Sequence, residues 1–157
     1  MTRVLFVCLG NICRSPSAEG VFRKLVEDAG LSHSIEIDSA GTGSWHVGKA
    51  PDHRAQAAAR QRGIDITRLR ARQIVPQDFA AFDYLIAMDQ QNLGDLNQYR
   101  PRSGQPIIRL LLDFGETMTG REVPDPYYGL AADFEGMFDL IEQGAADLLN
   151  HIKRSGS

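Results

Sequence analysis

Thiols are scarce in this chain. Of its 157 residues only two are cysteine, Cys8 and Cys13, and both stand close to the N-terminus. Two thiols so near each other cannot build a disulfide scaffold, which predicts a reducing, cytoplasmic setting. The four histidines, His33, His46, His53 and His151, are scattered without ligand spacing. That argues against a zinc centre and predicts solvated surface groups. No apolar run reaches membrane-spanning length. The start Met1-Thr2-Arg3 leads into only a strand-length apolar stretch before polar Asn11 and Arg14, which is not the form of a signal peptide. Charge of one sign is lacking too: 17 basic against 20 acidic residues leave −3. Bulk attraction to nucleic acid or to an anionic membrane is therefore not expected. There is no Gly-Lys-Ser/Thr loop and no Gly-x-Gly-x-x-Gly, which disfavours a nucleotide-binding protein. What remains, 43% hydrophobic and 24% charged residues without repeats or linkers, fits one domain over 1–157.

Apolar patterning divides that domain into alternating strands and helices. Arg3 to Leu9 reads as a buried strand, continuous rather than alternating in its apolar residues. Ser15-Pro16 opens a helix in which Ala18, Val21, Phe22, Leu25 and Val26 keep helical spacing until Gly30, with Glu19 placed in the first turn. Ser34 to Ala40 forms a second strand, Gly41 to Pro51 a Gly-rich loop, and Asp52 to Arg62 an Ala-rich helix stopped by Gly63. Pro76 to Phe82 reads as a helical turn and Tyr84 to Met88 as a third strand. Asp89 caps a helix up to Tyr99, and Ile107 to Leu112 is a fourth strand. Ala131 to Ile152 closes the chain as a helix. Such alternation implies a parallel sheet covered on both faces, with right-handed crossovers. Ligands of such sheets bind at the carboxyl edge of the strands.

The first loop at that edge carries the chemistry. In Cys8-Leu9-Gly10-Asn11-Ile12-Cys13-Arg14-Ser15 a thiol and a guanidinium bracket a tight turn between strand and helix. Successive N–H groups of such a loop, with the positive end of the helix, suit an oxyanion. Arg14 adds a planar fork for two phosphate oxygens. The same surroundings favour Cys8 as a thiolate nucleophile that attacks phosphorus in line, without a metal or other cofactor. Gly10 and Asn11 are residue types that accept left-handed backbone. Ser15 is a candidate helix cap whose hydroxyl can also reach the sulfur. Cys13 is either a small filler or the partner of a reversible disulfide that protects Cys8. Far along the chain, Asp125 sits between Pro124 and Pro126, which stiffen its loop. That carboxyl can give a proton to a leaving group and later activate water. Tyr127 and Tyr128 offer flat walls for an aromatic ring. Trp45 is either the opposite wall or a core-edge aromatic.

On these residues the chain resembles the low-molecular-weight protein-tyrosine phosphatases along essentially its whole length. The motifs are Cys8 through Pro16, Asp38-Ser39 with Trp45, Ala71-Arg72-Gln73, Phe82-Asp83-Tyr84 through Asp89, and Asp125-Pro126-Tyr127-Tyr128-Gly129. The resemblance implies a four-stranded parallel sheet in the order 2-1-3-4 with helices on both faces. It also implies Cys8 as nucleophile, Arg14 as phosphate clamp and Asp125 as general acid and base. Ser15 then stabilises the thiolate, Asn11 holds the loop's shape, Ser39 bonds to Asn11, and Asp89 gives structural support. A tyrosine-phosphorylated protein is the implied substrate, with a cognate tyrosine kinase among candidate partners and a monomer or weakly self-associating state. Where related chains extend the Asn–Ser network with a histidine, Leu69 stands here, so Ser39 is expected to lose a partner. The arginine-phosphatase branch has threonine where Ile12 stands, which points this chain to aryl phosphate rather than phosphoarginine. A thiol-dependent arsenate reductase needs further mid-chain cysteines, and none follows Cys13.

Overall fold

The computed structural model describes residues 1–102 and 104–155. The expected single domain therefore extends, at its last two positions, outside the described residues. Four parallel strands, β1 (Thr2–Cys8), β2 (Ile35–Gly41), β3 (Tyr84–Ala87) and β4 (Ile107–Leu110), form one sheet in the order β2-β1-β3-β4. Among the described residues four α-helices lie between the strands, α1 (Arg14–Asp28), α2 (His53–Gln61), the short α3 (Asp78–Ala81) and α4 (Gln90–Tyr99), and a fifth, α5 (Ala131–Ser155), follows β4. Among the described residues no helix is long and apolar enough to cross a membrane.

β1 is the centre of the sheet, and its five consecutive buried residues Val4 to Cys8 explain why its sequence shows no alternation. Both faces are covered, so both side-chain sets are apolar. Val4, Phe6 and Cys8 face the larger core with Phe22 of α1 and Phe138 of α5. Leu5 and Val7 face a smaller core with Phe79, Leu85 and Leu96. The period-two alternation of a strand thus sends Cys8 to the α1 side. The register Val7↔Ala40 and Val7↔Ala87 brings the ends of β2 and β3 level with the end of β1.

Element boundaries differ from the sequence expectation at three informative places. β4 ends at Leu110, and Leu111–Phe114 turns into a 3₁₀ helix instead of prolonging the strand to Leu112. Leu111, Leu112 and Phe114 are buried in the α1/α5 core, so the apolar run continues across a change of backbone and hides it. α1 begins at Arg14, and no side chain caps it. Ser15 is therefore inside the first turn and is not the cap. Glu19 lies in the second turn, buried, rather than in the first turn near the helix dipole.

Candidate active site

The loop between β1 and α1 closes around the Cys8 sulfur. Asn11 donates its backbone N–H to Cys8 Sγ at 3.3 Å, and Ser15 Oγ lies 3.0 Å from the same sulfur. Asn11 is the only non-glycine residue with positive φ among the described residues, at 58°. Gly10 is not left-handed; its reason is space. A Cβ there would stand 2.9 Å from the His46 ring. Gly41 shows the same need from the neighbouring strand, where a Cβ would meet Leu9 O at 2.8 Å. The missing side chain lets β2 press against the loop.

Asn11 pays for its unusual backbone with three side-chain hydrogen bonds. Nδ2 donates to Ser15 Oγ at 2.7 Å and to Ser39 Oγ at 3.1 Å. Oδ1 accepts from the backbone N–H of Arg72 at 3.0 Å. The Ala71-Arg72-Gln73 segment is itself locked to Gly41, which donates its N–H to Arg72 O and accepts from Ile74 N. Ser39 was expected to lose a partner to Leu69. It instead donates to Glu19 Oε1 at 2.7 Å, because Glu19 is turned into the core beside it.

Arg14 is only 2% exposed. Its Nη1 donates to Asp89 Oδ2 at 2.6 Å and to Val123 O at 3.0 Å, and Nη2 lies 3.6 Å from Asp125 Oδ2. Burial opposes its charge, but Cys8, Asp89 and Asp125 together outweigh that and hold the guanidinium above its ordinary value. Asp89 also caps α4 by accepting from Asn92 N at 2.8 Å. One carboxylate therefore ties Arg14 to the helix after β3. Asp125 is exposed, and its Oδ1 accepts from Tyr127 N in a local turn. Burial, Asp52 and Cys8 push the Cys13 thiol far above its ordinary range. Both cysteines are free.

These groups share one cavity of about 410 Å³, lined by Cys8, Leu9, Gly10, Ile12, Cys13, Arg14, Trp45, His46, Asp125, Tyr127 and Tyr128. Ser15, Asn11 and Asp89 stand behind it, in bonds to the lining residues, and Ser39 stands one bond further back, on Asn11. Trp45 joins the wall as one of its two expected alternatives; its ring lies over Gly43, where a Cβ would come within 2.0 Å. His46 corrects the expectation that every histidine is a solvated surface group. Its ring lies beside Gly10 and 6.0 Å from that of Tyr127. His151 is a second correction, since it packs edge-on against Tyr84 and Phe114. Arg54 is a further functional support without a sequence signal. It donates to Tyr127 O and Gly129 O, so α2 holds the tyrosine loop in place.

The chain as a whole is similar to known proteins. Over residues 3–157 the chain matches the family described as low molecular weight phosphotyrosine protein phosphatase, and it belongs to that family. It is 45% identical over 154 residues to the low molecular weight protein-tyrosine-phosphatase YfkJ of Bacillus subtilis, covering 98% of this chain and 97% of that protein. The crystal structure of YfkJ superposes with a TM-score of 0.93, at 44% identity and over 100% of this chain and 98% of that one. The low molecular weight phosphotyrosine protein phosphatase of Sus scrofa is 47% identical over 152 residues, 96% of this chain and 95% of that protein. A Drosophila arginine phosphatase also superposes, with a TM-score of 0.88 at 36% identity over 98% of each chain.

Proposed function

We propose that this chain hydrolyses phosphotyrosine in proteins through a cysteinyl-phosphate intermediate. Cys8 thiolate attacks phosphorus, and the bond from phosphorus to the phenolic oxygen breaks. Asp125, as the carboxylic acid, gives its proton to the departing phenolate. The three equatorial oxygens rest against loop N–H groups and the Arg14 fork, which supply positive charge where it develops. Asp125, now ionised, takes a proton from water as that water attacks phosphorus. The sulfur–phosphorus bond breaks, and thiolate and inorganic phosphate are released.

The observation that supports this reading is the meeting of Cys8 and Arg14, from the loop after β1, with Asp125, more than a hundred residues further along the chain, in one cavity. The aromatic groups at its mouth favour an aryl ester, and a phosphoserine side chain is too short to bring phosphorus from that rim to the sulfur. Phosphoarginine hydrolysis is a second reading, drawn from the similarity to the fly arginine phosphatase. Ile12, buried in the cavity wall, speaks against it. The substrate is then a tyrosine-phosphorylated cytoplasmic protein. A steady-state panel of phosphotyrosine, phosphoserine and phosphoarginine peptides tests the assignment, with Cys8→Ser as control. Turnover is expected on phosphotyrosine alone, and none with the variant. Comparable kcat/KM on phosphoserine, or retained turnover in Cys8→Ser, overturns it.

A further inference from the structure

Glu19 is a buried carboxylate that the mechanism above does not use. Its side chain is 5% exposed, and its one cationic neighbour, Arg23 at 2.8 Å, is itself half exposed. A buried charge with so little compensation is costly unless hydrogen bonds hold it. Burial is the largest influence and disfavours its charged form, raising its pKa from the ordinary value against the hydrogen bonds from Ser39 and Arg23. Such a group calls for a reason.

The reason is legible in the directions of the hydrogen bonds. The Arg72 N–H must meet an acceptor, so the oxygen of the Asn11 amide is the atom that faces it. Both protons of Asn11 Nδ2 then point the other way, one to Ser15 Oγ and one to Ser39 Oγ. Ser39, already accepting from Asn11, must place its own proton elsewhere, and Glu19 Oε1 is 2.7 Å away. Ser15 also accepts from Asn11, and its proton is left for Cys8 Sγ at 3.0 Å or the longer contact to Ala40 O at 3.4 Å. Donation therefore runs outward from the Asn11 amide in both directions, through Ser15 toward Cys8 and through Ser39 to Glu19.

We infer that Glu19 is a positioning residue for the Cys8 thiolate: by accepting the Ser39 proton it orients the Ser39–Asn11–Ser15 relay so that the relay ends as an O–H donor to sulfur. Leu69 leaves no ring nitrogen to do this, and Glu19 takes the task directly. Without an acceptor at position 19, the Ser39 proton turns back toward the Asn11 amide, donor against donor. Asn11 then shifts, and with it the bond that fixes Ser15.

This inference rests on the reading of Cys8 as nucleophile. The test measures alkylation of Cys8 by iodoacetate at mildly acid pH, beside kcat and KM on an aryl phosphate. Glu19→Met keeps the length and removes the acceptor. Its alkylation rate and kcat are expected to fall about three- to tenfold, the size of a weakened bond to a charged sulfur, with KM changed less than about twofold. Glu19→Gln keeps an acceptor oxygen for Ser39 and is expected to recover most of the loss. Ser39→Ala cuts the same link from its other end, so the double variant should lose no more than the worse single one. If Glu19→Met does not fold, Ser39→Ala carries the test alone with the same expected loss. Unchanged alkylation in folded Glu19→Met or Ser39→Ala overturns the inference, as does a Glu19→Gln variant as impaired as Glu19→Met, or additive losses. Iodoacetate found on Cys13 instead of Cys8, or hydrolysis by Cys8→Ser, overturns the nucleophile reading itself.

Discussion

The floor and the rim of the cavity are built by opposite rules. On the floor, Cys8, Asn11, Arg14 and Ser15 are almost wholly buried, and each is held by hydrogen bonds to the others or to β2, the α4 cap Asp89, Val123 and the segment after α2. At the rim, Tyr128 is 96% exposed and Trp45 68%. The floor's partners are in place before any phosphate arrives, so little reorganisation is left for the moment of reaction. The rim's aromatic faces are free to meet whatever chain surrounds a phosphorylated side chain. Under the proposed mechanism the difference is a division of labour: the floor fixes what is done to phosphorus, and the rim fixes which phosphate is brought to it. Losses on the floor should appear in kcat, and losses at the rim in KM.

The sharpest way to break that division is Arg14→Lys. An ammonium keeps the charge but cannot grip two phosphate oxygens while it serves Asp89 and Val123. We expect kcat on p-nitrophenyl phosphate to fall about 10²- to 10³-fold, as for loss of a preorganised donor. A loss seen only in KM would erase the distinction. Asn11→Gly comes next. Glycine accepts the φ of 58° without strain, so the backbone term is removed and only the amide bonds are lost. More than about tenfold lower kcat with unchanged circular dichroism is expected, given three bonds to a buried network. Full activity would mean that the left-handed turn alone holds the loop.

How much of this was legible in the sequence follows the same boundary. The floor was readable because its residues are adjacent: Cys8 to Ser15 form one loop, and a thiol and guanidinium bracketing it have few other uses. The strands and helices followed from apolar patterning, since β1 is buried on both faces and α1 on one, while the sheet order came from the resemblance to the family. What escaped depends on contacts between distant segments. Glu19 read as a first-turn carboxylate because nothing in its own helix shows that Ser39 of β2 lies against it. His46 read as solvated because the histidines are scattered along the sequence without ligand spacing, while its neighbours in space are Gly10 and Tyr127. Arg54 gave no signal, for its partners lie more than seventy residues away. The end of β4 was invisible because Leu110, Leu111 and Leu112 are all buried across a change from strand to 3₁₀ helix.

At the rim a milder effect sharpens the comparison. The Tyr128 ring stands edge-on to that of Tyr127, with centroids 4.9 Å apart, its one aromatic pair among the described residues. Tyr128→Ala should raise KM for a phosphotyrosine peptide about three- to tenfold, the scale of one aromatic contact, and leave kcat within about twofold. If kcat falls instead, the tyrosine reaches the reacting atoms and the rim belongs to the floor.

Cys13 gives the smallest effect and tests the floor against itself. It shares the loop and the cavity with Cys8, yet burial first, then the carboxylate of Asp52, then Cys8 hold its proton on. The folded state therefore keeps that proton in a range where the unfolded chain has released it, beginning near the ordinary value of 9.0. Unfolding above that pH releases a proton, so the stability tied to Cys13 is whole below it and declines as pH rises through it. Cys13→Ala has no proton to release. Between about pH 8 and about pH 10 its unfolding free energy, measured in urea, should decline by roughly 1 kcal/mol less than that of the parent. An identical decline in both proteins would mean that Cys13 ionises as freely in the fold as out of it, and that the loop's positive field extends to both of its thiols rather than to Cys8 alone.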